Sequence, residues 1–301
     1  MARKRAYIMA ALFVCLFAAA GCATFHKIGA DIMGKEGALK KKVAFMPSMN
    51  DSGFGGDSFQ AAAHSQLKKA LSRRCDGIQI IDSREIQRAL EEIPHGLSAR
   101  INTSALGRIG RTYGLGAVLE QRIVDVEYMT AKRGIWGFRK TRTLARASLR
   151  VRCFDTATTA VLFDETVTGK VELSEAVWKE AKTTGAYNKE MAEAVLSEVI
   201  SKTVQGICER LAKEPWKGYI VKNSGERLTL SAGQDVGLTP GDVLEVFQAA
   251  EPMQGQGGKV YLVPGLKMGE IRVTHVKEDH AEAVSIYGNN LDKSHCVKLR
   301  P

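Results

Sequence analysis

Closely spaced cysteines are absent from this 301-residue chain. Its six cysteines stand at 15, 22, 75, 153, 208 and 296, and none has the Cys-x-x-Cys spacing of a zinc or dithiol redox site. No Gly-x-Ser-x-Gly marks a hydrolase nucleophile. The glycine-rich stretch Gly53-Phe-Gly-Gly56 lacks the Gly-Lys-Ser/Thr ending of a phosphate loop, so it reads as the entry to a helix. His275 and His280 flank Val-Lys-Glu-Asp in a strand-turn-strand context that points their side chains apart. No catalytic set, metal site or cofactor site is expected. Long apolar runs are missing too. The stretch from Ala6 to Ala20 is too short to span a bilayer comfortably.

That stretch is nevertheless informative. Arg3, Lys4 and Arg5 precede it and Gly21-Cys22 follow it. Cations, a short apolar core and small residues make a secretory signal peptide over residues 1–21. Ala19-Ala20-Gly21-Cys22 resembles a bacterial lipobox, in which the chain is cut after Gly21 and the Cys22 thiol takes a diacylglyceryl group. Residues 22–39 then form a lipidated tether. Ala23 follows the cysteine where Asp is the exception, and resemblance to Gram-negative lipoproteins implies the periplasmic face of the outer membrane.

The formal net charge is +10, and the chain stays basic without the leader cations. Such a balance favours anionic lipid head groups, peptidoglycan carboxylates or acidic protein faces, while export argues against nucleic acid. Cys75, Cys153, Cys208 and Cys296 remain in the exported chain and allow three pairings. One disulfide and buried free thiols fit equally well.

Two grammars divide the exported chain at Pro215-Trp216. Before it, a strand over 42–47 and a helix from Asp57 or Ser58 to Arg74 precede a strand at 78–81. A helix follows, opened by a capping box of Asp82 and Glu85, and then a helix over 103–113 stopped by Gly114. Longer strands at 116–128, 141–155 and 161–171 and a helix at 189–212 complete residues 40–214 as an α/β (α+β) sandwich. After the boundary, residues 215–301 show short strands at 218–222, 227–230, 242–247, 259–263, 269–276 and 281–287. Leu238-Thr-Pro-Gly-Asp242 makes a type II turn. The spacing predicts a small all-β barrel of SH3-like kind.

The 141–155 strand alternates cleanly. Ala145, Ala147, Leu149, Val151 and Cys153 share one face, and Arg146, Ser148, Arg150 and Arg152 share the other. Arg146, Arg150 and Arg152 are candidate partner-binding residues for an acidic neighbour or cell-wall polymer. Local pairing with Asp164 and Glu120 is the alternative. Trp136 and Phe138, flanked by Arg133, Arg139 and Lys140, suit a membrane interface or a partner groove, or a hairpin tip folded onto its own domain.

Val43-Ala-Phe-Met-Pro47, Ile80-Ile-Asp-Ser-Arg84, Gly114-Leu-Gly-Ala-Val118 and Leu149-Arg-Val-Arg-Cys-Phe-Asp-Thr-Ala157 give residues 40–214 a resemblance to the CsgG family of the curli secretion apparatus. They also resemble the middle domain of flagellar assembly protein T, built like the TolB amino-terminal domain. Gly218-Tyr-Ile-Val221, Leu228-Thr-Leu230, Gly237-Leu-Thr-Pro-Gly-Asp242 and Met268-Gly-Glu-Ile-Arg-Val273 resemble that protein's carboxy-terminal domain. The resemblance implies a non-enzymatic structural or assembly factor, a flagellar-type ring component or CsgG-like scaffold, with protein partners and a homo-oligomeric ring among its associations. A CsgG-type export accessory and a regulator of peptidoglycan synthesis are the alternatives. CsgG itself spans the membrane with amphipathic hairpins. The connections 129–141 and 172–189 lack a lipid-facing alternation, so no such barrel is expected here.

Overall fold

The structure is a computed structural model describing residues 39–93, 101–133, 140–184, 189–254, 260–263 and 265–300. The first domain has six strands, β1 (Lys41–Phe45), β2 (Met49–Asn50), β3 (Ile78–Ile80), β4 (Ala117–Arg133), β5 (Lys140–Asp155) and β6 (Val161–Glu172). Their spatial order is β3-β1-β4-β5-β6, with β2 also against β4. β1 runs parallel to β3 and β4, whereas β4, β5 and β6 form an antiparallel meander. The helices are α1 (Gly56–Arg74), α2 (Arg84–Glu91), α3 (Thr103–Tyr113), α4 (Glu175–Thr184) and α5 (Lys189–Lys213).

The alternation along β5 sorts the layers. Leu149, Val151 and Cys153 pack under α1 and α5 with Leu67, Val199 and Ile207. On the other side, Ile86 and Leu90 of α2 and Leu106 of α3 cover Met46, Val118 and Phe154. A sheet buried on both faces explains the continuous apolar run Val43-Ala-Phe-Met46.

Three local expectations are corrected. The α1 cap is Gly55, in the left-handed region at φ 64, rather than Asp57 or Ser58. Asn50 Nδ2 donates to the carbonyls of Phe54 and Gly56 and starts the helix early. Phe54 turns inward, edge-on to Phe59 and Tyr128. The α2 cap is Ser83, whose Oγ accepts from the Ile86 N–H at 3.2 Å. Asp82 is occupied by Lys68 and Gln87. The described parts of the two connections weighed as membrane hairpins are also regular structure. β4 and β5 pair through Arg133 and Lys140, and residues 175–184 are a helix. Ser174 Oγ caps it by accepting from the Val177 N–H, and Trp178 meets Tyr128 at 5.8 Å.

The second domain contains β7 (Gly218–Asn223), β8 (Leu228–Leu230), β9 (Val243–Phe247), β10 (Glu251–Gln254), β11 (Val260–Val263), β12 (Lys267–Val276), β13 (Ala281–Tyr287) and β14 (Cys296–Leu299). Six of these close an antiparallel barrel in the order β12-β13-β8-β7-β14-β9. β10 and β11, a hairpin outside the barrel, and β14 extend the strand set expected from sequence, β10 and β14 being additions. Ile220, Leu230, Val246, Ile271 and Val297 fill the barrel. The 238–242 turn forms as expected, with Gly241 at φ 96 and the Asp242 N–H bonded to the Thr239 carbonyl at 3.2 Å.

Cys75, just past α1, is bonded to Cys208 of α5, with Cα atoms 5.4 Å apart and a sequence separation of 133. Cys153 and Cys296 are free thiols. The crosslink closes most of the first domain into one loop. The chain-entropy model gives such a closure about 5 kcal/mol. The Cys75→Ser/Cys208→Ser variant should lose about 3–5 kcal/mol of unfolding free energy in urea, and reductant should bring the native chain to the same midpoint. An unchanged midpoint in both would contradict the crosslink.

Candidate functional site

Arg146, Arg150 and Arg152 of β5 lie beyond Phe154 on the face that α2 and α3 begin to cover. Carboxylates on the neighbouring strands meet all three. Arg146 Nη2 donates to Asp125 at 2.9 Å, with Glu127 beside it. Arg150 binds Asp164 through Nε and Nη2 at 2.7 and 2.6 Å. Arg152 pairs with Glu120, which is almost wholly buried and also faces Arg122. Arg122 in turn reaches Asp51 at 2.7 Å. The stripe is therefore a charge-paired ladder across the sheet rather than an open cationic surface. Cross-strand pairing of opposite charges stabilises the sheet locally. Asp164 is held below the usual carboxylate range by the Arg150 hydrogen bonds, and Asp164 in turn raises Arg150.

Gly21, Cys22, Trp136 and Phe138 lie outside the described residues. His275 faces Glu282 and His280 faces Asp279. Among the described residues no group of three or more His, Cys, Asp or Glu gathers as a metal set. No helix among them is long and apolar enough to cross a membrane.

A different constellation sits where the domains meet. The β5–β6 turn begins at Asp155, whose side chain is 4% exposed. Its Oδ2 accepts from the N–H and Oγ1 of Thr158, closing the turn, while Oδ1 takes Lys217 Nζ at 2.7 Å from the second domain. Thr156 Oγ1 donates to the Leu115 carbonyl and lies 3.2 Å from the Tyr219 hydroxyl. The Leu262 N–H of β11 donates to the Thr158 carbonyl at 3.0 Å. Across the seam, Lys42 Nζ meets Asp235 at 2.9 Å and the Ser231 carbonyl at 2.8 Å. Leu39 enters the barrel core, and the Lys40 N–H bonds the Val236 carbonyl at 2.9 Å. Gly114, at φ 70, has no room for a side chain, because a Cβ there would stand 2.5 Å from Ser231 Cβ.

Between these contacts lies a cavity of about 50 Å³, lined in part by Arg111, Thr158, Lys217, Tyr219, Cys296 and Lys298. Burial pushes the Cys296 thiol up to about 11 against the opposing pull of Lys217 and Lys298. Burial also raises Tyr219, which therefore stays a neutral phenol. Sequence reasoning passed over these residues. Arg111 looks like a solvated helix cation, and Asp155 like an ordinary turn residue.

Fold and seam together show a mixed α/β sheet joined to a closed barrel through buried ion pairs beside a cavity lined by cations. No protein-family model matches the chain, and no curated protein matches it. Solved structures that align with it include the hypothetical protein CT253 from Chlamydia trachomatis, at 16% identity over 56% of this chain and 99% of that one, TM-score 0.34. Lipoprotein GNA1162 from Neisseria meningitidis aligns at 13% identity over 55% and 99%, TM-score 0.31. TolB from Acinetobacter baumannii aligns at 11% identity over 82% and 60%, TM-score 0.30. Bacterial lipoproteins and TolB are thus among the aligned structures, and values this low carry no argument about function.

Two measurements check this geometry. Asp155→Asn leaves Lys217 buried without its counter-charge and should cost about 3–5 kcal/mol in urea unfolding. Adding Lys217→Met should recover part of the loss, whereas a single variant as stable as the native chain would refute the buried pair. The Arg150–Asp164 pair sets an acid-side dependence. Asp164 has a lowered folded pKa, so its contribution is present above the ordinary carboxylate value of about 3.9 and lost as pH falls through the folded value. Asp164→Asn should abolish that part of the acid destabilisation. The effect should stay below about 1 kcal/mol, because both partners are substantially exposed.

Proposed function

We propose that this chain is a lipid-anchored bacterial envelope protein. It acts on the periplasmic face of the outer membrane as a non-catalytic structural or assembly factor, of the flagellar-ring or CsgG-like scaffold kind. The observation that carries the envelope reading is the Cys75–Cys208 disulfide, because structural disulfides persist in oxidising compartments and are rare in the cytosol. The leader ending in Gly21-Cys22 supports the same placement and adds the means of attachment. A diacyl modification supplies stable anchoring that a single acyl chain does not.

The seam supports the scaffold reading. The tether ends at Leu39, inside the barrel core, while the next residues form β1 of the sheet. A pull on the anchor is therefore delivered to both domains at once, as suits a part held in a larger assembly. The resemblance to CsgG and flagellar assembly protein T supports that role, and no catalytic step is assigned.

Metabolic palmitate labelling with membrane fractionation tests the anchor. The native chain should carry label and sediment with outer membrane. Cys22→Ala should lose the label and appear folded in the soluble periplasmic fraction, and its retention in the membrane would overturn attachment by lipid alone. Electron microscopy of the lipidated protein should show closed rings. Monomers that co-purify with a peptidoglycan synthase would favour the cell-wall regulator instead.

A further inference from the structure

We propose that the cavity at the domain seam binds a small oxyanion, a phosphate or carboxylate group, between Arg111 of α3 and Lys298 of β14. Arg111 Nη1 is buried and has no acceptor among the described residues. A buried charged donor left unpaired is costly, so its position calls for an acceptor that the described residues do not supply. Lys298 Nζ lies 4.6 Å from the centre of the Phe247 ring, and among the described residues no carboxylate stands within ion-pair distance of it. Lys217, the third cation of the lining, is already neutralised by Asp155. Among the described residues, two positive charges around one space thus have no carboxylate partner.

The remaining wall fits the same ligand. Thr158, Tyr219 and Ser294 also line the cavity, with the Thr158 hydroxyl donating to Asp155 and the Tyr219 hydroxyl beside Thr156. Phe247 and Ala250 add apolar surface to the lining. A guanidinium fork suits the paired oxygens of a carboxylate or phosphate, and an ammonium adds a point charge. The volume of about 50 Å³ is roughly four times what one water requires. That is room for a single oxyanion group and too little for a nucleotide or a sugar. Because α3 belongs to the sheet domain and β14 to the barrel, a bound anion ties the two together and stabilises the folded state by mass action. The inference stands independently of the role proposed above.

The test is thermal unfolding of the detergent-extracted full chain with inorganic phosphate in one arm and acetate in the other, ionic strength being held constant with chloride. Saturable stabilisation in at least one arm is expected, absent with chloride alone. Arg111→Gln and Lys298→Gln, on different domains, should each weaken the apparent affinity about tenfold or more. Lys293→Gln, an exposed charge outside the lining, should leave it unchanged. Circular dichroism establishes that each variant is folded. The proposal fails if neither anion saturates, if chloride acts equally, or if either folded lining variant responds like the native chain.

Discussion

Asp155 carries one charge and is asked to hold two things at once. One carboxylate oxygen shapes the turn between β5 and β6, and the other receives Lys217 from the barrel domain. Neither partner has enough water to tolerate solitude. An unpaired charge at this depth is strongly unfavourable, so the turn, the end of α3 and the start of β7 must occupy fixed relative positions. Lys42 and Asp235 impose the same condition across the seam. Buried ion pairs contribute little net stability compared with apolar packing. Their effect here is geometric, because few domain orientations satisfy both pairs together. The cavity beside them, with Arg111 and Lys298 facing it, is a consequence of that fixed approach.

The rest of the first domain is organised to keep this seam steady. The disulfide joins α1 to α5 on the face away from α2 and α3, so the helical layer is closed by a covalent bond. The open part of the opposite face is closed by paired charges instead of by a third helix. Glu120 shows how far this goes, since it is nearly buried and yet faces two arginines. A charge ladder of this kind leaves the face polar without leaving it strongly cationic. The excess positive charge of the chain therefore has to be sought elsewhere.

Legibility followed locality. The β5 alternation announced both the buried and the polar side of the sheet, because a period of two translates directly into two faces. Gly114 marked the end of α3 and Leu238–Asp242 a turn, since both depend on backbone freedom at one residue. The helix over 175–184 was missed because Glu, Lys and Thr fill six of its ten positions, and Val177 and Trp178 are its only large apolar residues. β10 holds Pro252, which hides it as a strand in the sequence. Cys75 and Cys208 lie far apart in sequence, and only the packing of α1 on α5 selects their pairing from the alternatives. The seam was invisible for the same reason. Asp155, Lys217, Arg111 and Lys298 each look ordinary in their own segment and acquire a role only when two domains bring them together.

The central claim is that these two domains behave as one body. Calorimetry of the chain carrying Cys22→Ala tests it directly. One thermal transition is expected, with equal calorimetric and van 't Hoff enthalpies, as a single cooperative unit requires. Two separable transitions, one for the sheet domain and one for the barrel, would contradict the account.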